Sequence, residues 1–210
     1  MNYFEILTQF CRTNTVDEQP PAFSASDEET YKKKQMIKDA NAHIVQYTDW
    51  KFRNKKPSMP TVIGQKEYDL PLGTIQGVYL NGSKLAFIED ELLLQECSGK
   101  PSGYYVNRED NKIGFDKTPD SVYPIIVKYK TDNQAVTADG TQKLNLELET
   151  DTSIIPEQYQ NIIVMYAELL YMRDKSTKNQ TDAKANYRNR LTELMTYDRG
   201  TLEASPTIVM

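Results

Sequence analysis

The sequence predicts an α+β protein built from N-terminal helices, a small antiparallel β-domain inserted in the middle and a C-terminal antiparallel helix pair. Apolar residues recur at three- and four-residue steps through residues 155–173, as they do on one broad face of a helix. A second helical pattern over residues 181–198 follows a short polar stretch, which is typical of two antiparallel helices. Upstream, short apolar runs separated by Gly, Pro and Asn predict strands.

These patterns divide the chain into four predicted regions. Residues 1–49 form the N-terminal helices, and residues 50–150 form the antiparallel β-domain. Residues 151–199 form the C-terminal helix hairpin, which packs with the N-terminal helices, and residues 200–210 form an extended tail. No internal repeat is visible in the sequence.

Two helices are predicted in the N-terminal region. Apolar residues share one face of a short helix over residues 3–12. Ser26 is followed three residues later by Glu29, which is the pattern of a capping box. A second helix is therefore expected to begin at Ser26 and to run to about Tyr47.

The middle of the chain carries the strand and turn signals. Asn81-Gly82 between two apolar runs predicts a β-hairpin with a type I′ turn. A second hairpin is predicted around residues 108–111, and alternating apolar residues predict a strand over residues 122–129. The three leucines of residues 144–148 alternate with polar residues, which predicts a half-buried strand or an extended strap.

The C-terminal helix pair begins with the best-patterned segment of the chain. Pro156 suits the first turn of a helix over residues 155–173, because its missing N–H costs nothing there. Such a helix of about 18 residues would run roughly 27 Å, and its apolar stripe needs a covering element. The tail ends in Ile208, Val209 and Met210, an apolar tip that we expect to dock on a neighbour, with fraying as the alternative.

Composition excludes several function classes. The net charge of −5 argues against a protein whose main function is to bind the phosphate backbone of nucleic acids. The two cysteines favour a reducing compartment over a disulfide scaffold. No secretory signal and no run long enough to cross a membrane is visible. The 14 tyrosines suit either subunit interfaces or the faces of the sheets.

We predict no catalytic residue, no cofactor and no metal site. His43 is the single histidine and, with two distant cysteines, cannot supply a zinc site of normal spacing. Acidic clusters at residues 89–91 and at Glu147, Glu149 and Asp151 leave a carboxylate-based hydrolase as a minor alternative. Two basic stretches could contact DNA or an acidic partner, or could be solvated surface. Their residues are Lys32, Lys33, Lys34, Lys51, Arg53, Lys55 and Lys56.

An ordered set of motifs over about residues 30–198 resembles the head-to-tail adaptor proteins of short-tailed bacteriophages. The set comprises Trp50-x-Phe52, Glu67-Tyr68-x-Leu70-Pro71, Gly99-x-Pro101-x-x-Tyr104-Tyr105, Ile113-x-Phe115, Thr118-Pro119-Asp120-x-x-Tyr123, Tyr129 and Ile155-Pro156-x-x-Tyr159. The step over residues 115–120 is one residue longer than in that family, and residues 131–143 and the tail beyond 199 lack a clear counterpart. The Asn- and Lys-rich composition suits a crAss-like phage source.

The resemblance implies a structural virion protein without enzymatic activity. Such adaptors form a dodecameric ring that joins the portal to the tail, extends the DNA channel and contacts double-stranded DNA only transiently. The implied location is the head–tail junction of a virion assembled in the bacterial host cytoplasm. A stopper or nozzle, or a nucleic-acid-binding module, remains an alternative. The candidate interface with the portal or a neighbouring subunit comprises Tyr197, Arg199, Leu202, Ile208, Val209 and Met210.

Overall fold

The structure is a computed structural model that describes residues 1–14, 22–24, 27–71, 73–89, 97–174 and 180–200. The chain divides into two compact units. The first unit combines Met1–Phe52 with Asn133–Met210, and the second is Arg53–Asp132. Helices lie in the first unit and two sheets lie in the second, which confirms the predicted α+β class.

The first unit is a helical unit in which the third helix is central. The α-helices among the described residues are α1 (Tyr3–Asn14), α2 (Glu28–Gln46), α3 (Asn161–Asp174) and α4 (Gln180–Arg199). Helix α3 contacts α1, α2 and α4, so its apolar residues are covered on several sides. The contact between α3 and α4 confirms the predicted C-terminal helix pair.

Most of the strands are short, whereas the two longest described strands have eight residues each. Those in the described part of the chain are β1 (Asn54–Lys55), β2 (Ser58–Pro60), β3 (Glu67–Asp69), β4 (Gly73–Leu80), β5 (Ser83–Lys84), β6 (Ala86–Phe87), β7 (Gly103–Asn107), β8 (Lys112–Phe115), β9 (Pro124–Thr131), β10 (Ala135–Val136), β11 (Gln142–Lys143) and β12 (Thr152–Ser153). Strands β1 to β9 belong to the second unit. Strands β10 to β12 form a small sheet in the first unit.

Helix α2 begins one residue later than the sequence predicted. Asp27 is the N-cap, and its Oδ1 accepts a hydrogen bond from the Thr30 backbone N–H (2.8 Å). The predicted cap Ser26 lies outside the described residues. An aspartate caps a helix as well as a serine does, so two adjacent cap residues left the sequence ambiguous by one position.

Helix α3 is shorter than predicted. Pro156 has an extended ψ of 135°, and a 3₁₀ turn at Glu157–Tyr159 precedes the α-helix. The side-chain amide of Gln160 donates to the carbonyls of Ser153 (3.2 Å) and Ile155 (3.0 Å). These bonds hold the chain extended before the helix. The α-helix therefore has 14 residues, and not the 18 that the apolar pattern predicted.

The core of the first unit is built around α2, α3 and Trp50. The Trp50 side chain is buried, and its Nε1–H donates to the carbonyl of Ile44 (2.7 Å). Asn41 is also buried, and it accepts from the Ser153 hydroxyl (2.6 Å) and donates to the Gln134 carbonyl (3.2 Å). These buried polar bonds fix α2 against β10 and β12 while satisfying groups that would otherwise be costly to bury.

The second unit contains two sheets over one apolar core. Strands β1, β9, β4 and β5 are neighbours in that order with β2 also pairing β9, and the second sheet has the order β3-β8-β7-β6. Positive φ angles at Asn81 (51°) and Gly82 (81°) confirm the predicted hairpin turn. Strand β9 buries Ile125, Val127 and Tyr129 as its alternation predicted. Strands β6 and β7 are parallel, a pairing that no local turn signal reports.

The leucine segment differs from its prediction. Leu146 is fully buried, whereas Leu144 and Leu148 are 52% and 54% exposed. The segment is not a strand, because the chain turns at residues 147–151 around the side chain of Asp151. Residues 133–150, which the sequence placed in the region 50–150, belong to the first unit.

Candidate functional site

The C-terminal end of α4 is tied to the chain after α2. Asp198 accepts hydrogen bonds from the backbone N–H groups of Lys51 (2.7 Å) and Phe52 (3.2 Å). The Lys51 ammonium in turn donates to the Arg199 carbonyl (2.8 Å). Tyr197 is 44% exposed beside this junction. The structure therefore brings two candidate interface residues, Tyr197 and Arg199, to one helix end, while Leu202, Ile208, Val209 and Met210 lie outside the described residues.

A groove opens between α3 and α4 and is named here the helix groove. Its volume is about 350 Å³. The apolar walls and the cationic rim comprise Tyr47, Tyr166, Leu169, Leu170, Tyr187, Leu191, Arg173, Lys184 and Arg188. None of the described residues that line it is a carboxylate. The groove therefore offers an apolar floor with positive charge at its edges, which suits a chain segment that is apolar and anionic.

The lysine triplet of α2 does not form one basic patch. Lys32 pairs with Glu28 (2.6 Å), which raises the pKa of the lysine, and Lys33 pairs with Glu29 (3.0 Å). The Lys33 side chain is only 6% exposed. Lys34 donates to the carbonyl of Phe23 and lies 4.5 Å from its ring centroid. Each of the three cations thus has a partner within the chain.

The second basic stretch is divided between the two units. Lys51 belongs to the first unit, where it holds the end of α4. In the second unit Arg53 is buried, and it donates to the Thr131 carbonyl (3.0 Å) and pairs with Asp132 (3.1 Å). Lys55 pairs in the ladder with Tyr129, and Lys56 is exposed. Two of the four predicted nucleic-acid residues of this stretch, Lys51 and Arg53, are therefore held by partners within the chain.

The acidic residues near Asp151 hold a turn. Asp151 is fully buried, and its Oδ2 accepts the backbone N–H groups of Glu147 and Leu148 (both 2.8 Å). The carbonyls of Asp151 and Glu149 accept from the N–H groups of Tyr3 (2.7 Å) and Phe4 (3.2 Å). This arrangement anchors the N-terminus of α1 and leaves Asp151 no access to a substrate.

The other candidate chemical groups are equally structural. The ring of His43 stacks on Tyr166 with centroids 4.2 Å apart. No group of three or more His, Cys, Asp or Glu in the described part of the chain is arranged to hold a metal ion. Within the acidic cluster at residues 89–91, residues 90 and 91 lie outside the described residues. No described helix combines the length and apolar character that crossing a bilayer requires.

Sequence reasoning missed an exposed apolar surface in the second unit, named here the loop patch. It consists of Val62, Ile63 and Val122, which are 53%, 62% and 59% exposed. The Thr61 N–H donates to the Tyr123 carbonyl (2.9 Å), and the Thr61 hydroxyl donates to the Ser121 carbonyl (3.1 Å), which holds the two loops together. In the sequence, the neighbouring Pro60 and Pro119 indicate that the residues of the loop patch lie on loops.

Comparison with known protein families gives one match. The family described as SU10 adaptor protein matches residues 1–209, and no curated protein is similar enough to match. This family is a structural phage adaptor and not an enzyme, which confirms the resemblance to phage adaptors. As an adaptor of a phage virion the protein contacts other virion proteins, while its crAss-like source stays a prediction. Because the match covers nearly the whole chain, the protein belongs to the SU10 adaptor protein family.

Proposed function

We propose that this protein forms a ring, dodecameric in the mature particle, that joins the portal to the tail and extends the DNA channel. The match of the adaptor family over residues 1–209 is the observation that carries the proposal. Its proposed partners are further copies of itself, the portal protein and the next tail component. The proposed location is the head–tail junction of the virion, after assembly in the host cytoplasm.

Two surfaces of the subunit support an assembly role. The loop patch presents three exposed apolar side chains on two loops that hydrogen bonds join, and clustered exposed apolar residues of this kind suit contact with a partner. The helix groove is a second apolar surface, and it differs in shape and charge from the loop patch. Two dissimilar surfaces on one subunit suit a heterologous interface, which closes into a ring when the rotation between copies permits.

The charge distribution supports transient contact with DNA. The chain has a net charge of −5, and most candidate cations are paired within the subunit. A channel built from such subunits does not gain the counterion release that drives tight binding to DNA. We therefore expect weak, sequence-independent binding that is lost as salt rises above about 50 mM.

Negative-stain microscopy of the purified protein, alone and with its portal, tests the proposal. We expect rings, or portals capped by additional density. Monomers that persist and do not bind the portal would contradict the proposal. The double variant Ile63→Lys, Val122→Lys places charge on the loop patch without altering the described hydrogen bonds of its backbone. We expect this variant to stay folded and to lose attachment to one of its partners.

A matched control is available on the same unit. Glu109→Lys changes the net charge by the same two units at an exposed position, in the turn between β7 and β8. We expect it to assemble as the unchanged protein does. Equal loss of assembly in both variants would show that added charge, rather than the loop patch, is responsible.

A further inference from the structure

The helix groove contains a buried polar group that lacks a described partner. The Tyr187 side chain is 7% exposed, and its hydroxyl makes no hydrogen bond within the part of the chain that the structure describes. Burial and the neighbouring Tyr166 and Tyr47 raise the pKa of this hydroxyl, so it remains a neutral donor. Buried donors are nearly always satisfied, so this one indicates an acceptor that arrives from outside.

The remainder of the groove defines the chemistry of its occupant. Tyr166 lies against Tyr187 with ring centroids 4.9 Å apart, and Tyr47 at the rim is 50% exposed. Lys184 and Arg188 stand on the α4 side of the groove. An occupant that is complementary to these residues has apolar side chains, at least one negative charge, and a hydrogen-bond acceptor for the Tyr187 hydroxyl.

The last ten residues of the chain have this chemistry. Residues 201–210 read TLEASPTIVM, with Leu202 and the apolar tip, one carboxylate at Glu203 and no cation. Ten extended residues reach about 33 Å at roughly 3.3 Å per residue, which is enough to cross a neighbouring helix pair. The charges and the apolar residues of this segment are thus complementary to those of the groove.

We propose that the helix groove of one copy binds residues 201–210 of a second copy. The tail leaves α4 after Arg199, whereas the groove lies at the opposite end of α4, near Gln180 and Lys184. A tail that leaves at one end and a groove that opens at the other let identical copies join head to tail. The apolar tip packs on the tyrosines and leucines, and the Glu203 carboxylate lies at the cationic rim. This inference rests on the proposed ring and names the contact that links its subunits.

Cross-linking between two populations of the full chain tests this contact. Both populations carry Cys97→Ser, since Cys97 is exposed and Cys11 is buried. One population also carries Val209→Cys in the tail, and the other carries Leu170→Cys in the groove. A short bismaleimide should join them into a product of about twice the 24.2 kDa chain mass, with little product from either population alone. Gln180→Cys at the groove end replaces Leu170→Cys if the latter fails to fold.

Variants of the groove make the test specific. We expect Lys184→Glu with Arg188→Glu to lower the cross-linking yield by about ten-fold or more. The matched control Lys56→Glu with Lys100→Glu changes the net charge equally at exposed positions outside the groove and should leave the yield unchanged. Tyr187→Phe should weaken binding about 2- to 10-fold while the subunit remains folded, because only an unsatisfied hydroxyl is removed.

Peptide competition identifies the group that is recognised. A synthetic peptide of residues 201–210 should suppress cross-linking. The same peptide with Glu203→Gln should need about ten-fold higher concentration. Equal potency of the two peptides would overturn the assigned role of the Glu203 carboxylate.

Three results would overturn the proposal. If a chain that carries Cys97→Ser with both Val209→Cys and Leu170→Cys cross-links only within itself while the mixed populations give no product, the tail closes on its own groove. If the tail cross-links only to added portal, the portal is the partner of the tail. If no cross-link forms at all, the groove does not bind the tail. If rings still form by microscopy in any of these cases, the proposed function stands and only this inference fails.

Discussion

Asp151 shows how much of this fold depends on single buried polar groups. Its carboxylate satisfies two backbone N–H groups at residues 147–148, and the backbone around it anchors the start of α1. A buried N–H without an acceptor costs more than the hydrogen bond gained when it is satisfied. The position was considered for catalysis because it is acidic, and the structure gives it an architectural role.

We therefore expect Asp151→Ala to lower the free energy of unfolding by about 3 kcal/mol, since two N–H groups lose a charged acceptor. Urea unfolding followed by circular dichroism measures the change. Glu149→Ala is the control, because the Glu149 side chain is exposed and its backbone carbonyl is retained. A loss below about 1 kcal/mol in Asp151→Ala would show that water replaces the carboxylate.

Glu168 on α3 offers a prediction of pH dependence. Partial burial raises the pKa of its carboxyl group, an effect that a hydrogen bond from Thr13 opposes. The folded state therefore binds a proton more tightly than the unfolded state does. The penalty for the charged form is absent below the unfolded pKa of about 4.3 and is complete once the pH exceeds the folded pKa.

Replacing Glu168 by the isosteric Gln should consequently raise stability at pH 7, with the advantage disappearing as the pH falls below about 4.3. Thermal unfolding of both proteins at several pH values gives the difference directly. Glu109→Gln, an exposed change in the turn between β7 and β8, controls for the loss of one negative charge. A constant difference across the pH range would refute the assignment.

At the scale of elements, Arg190 joins α4 to the start of α3. Its guanidinium donates to the Asn161 side chain (3.1 Å) and to the Gln158 carbonyl, and it lies 4.7 Å from the ring centroid of Tyr159. The residues that it contacts include the 3₁₀ turn that sequence analysis had assigned to the α-helix. Arg190 therefore stabilises the point where α3 begins.

Arg190→Ala should lower the free energy of unfolding by about 2 kcal/mol, because several contacts to one guanidinium are lost together. Denaturant unfolding measures the loss. Asn189→Ala is a matched control, since it is exposed on the same helix one residue away. Similar effects of the two variants would show that helix propensity, and not the contacts of Arg190, determines the result.

Sequence patterns predicted these elements well where the signal was local. The Asn81-Gly82 turn, the alternation of β9 and the helix pair each depend on residues a few positions apart, and all three were correct. The start of α3 and the leucine segment were wrong. In both cases a side chain, Gln160 or Asp151, redirected the backbone through hydrogen bonds that no periodicity records.

For the whole molecule, assembly is the property that remains to be tested. We expect deletion of residues 205–210 to change the free energy of unfolding of the monomer by less than about 0.5 kcal/mol. The same deletion should weaken ring formation or attachment to the portal, because it removes the apolar tip. Urea unfolding and negative-stain microscopy of the same preparation give the two readouts. Loss of monomer stability would instead show that the tail belongs to the core.

The candidate interface was less predictable than the fold. Tyr197 and Arg199 were predicted as interface residues, and the structure puts both beside the junction with Lys51. The loop patch was not selected, because Val122 was taken for a strand residue. Exposure of an apolar residue depends on which other segments cover it, and that information is not contained in its neighbours along the chain.

The sequence alone determined the α+β order, the hairpin turn and the membership of a phage adaptor family, because periodicity, turn chemistry and ordered motifs are local properties. Tertiary structure decided which charged side chains are available to bind a partner. Lys33, Lys34 and Arg53 look like a binding surface in the sequence, yet they are held by partners within the chain. Arg53 meets Thr131 across 78 positions, and only folding brings such residues together.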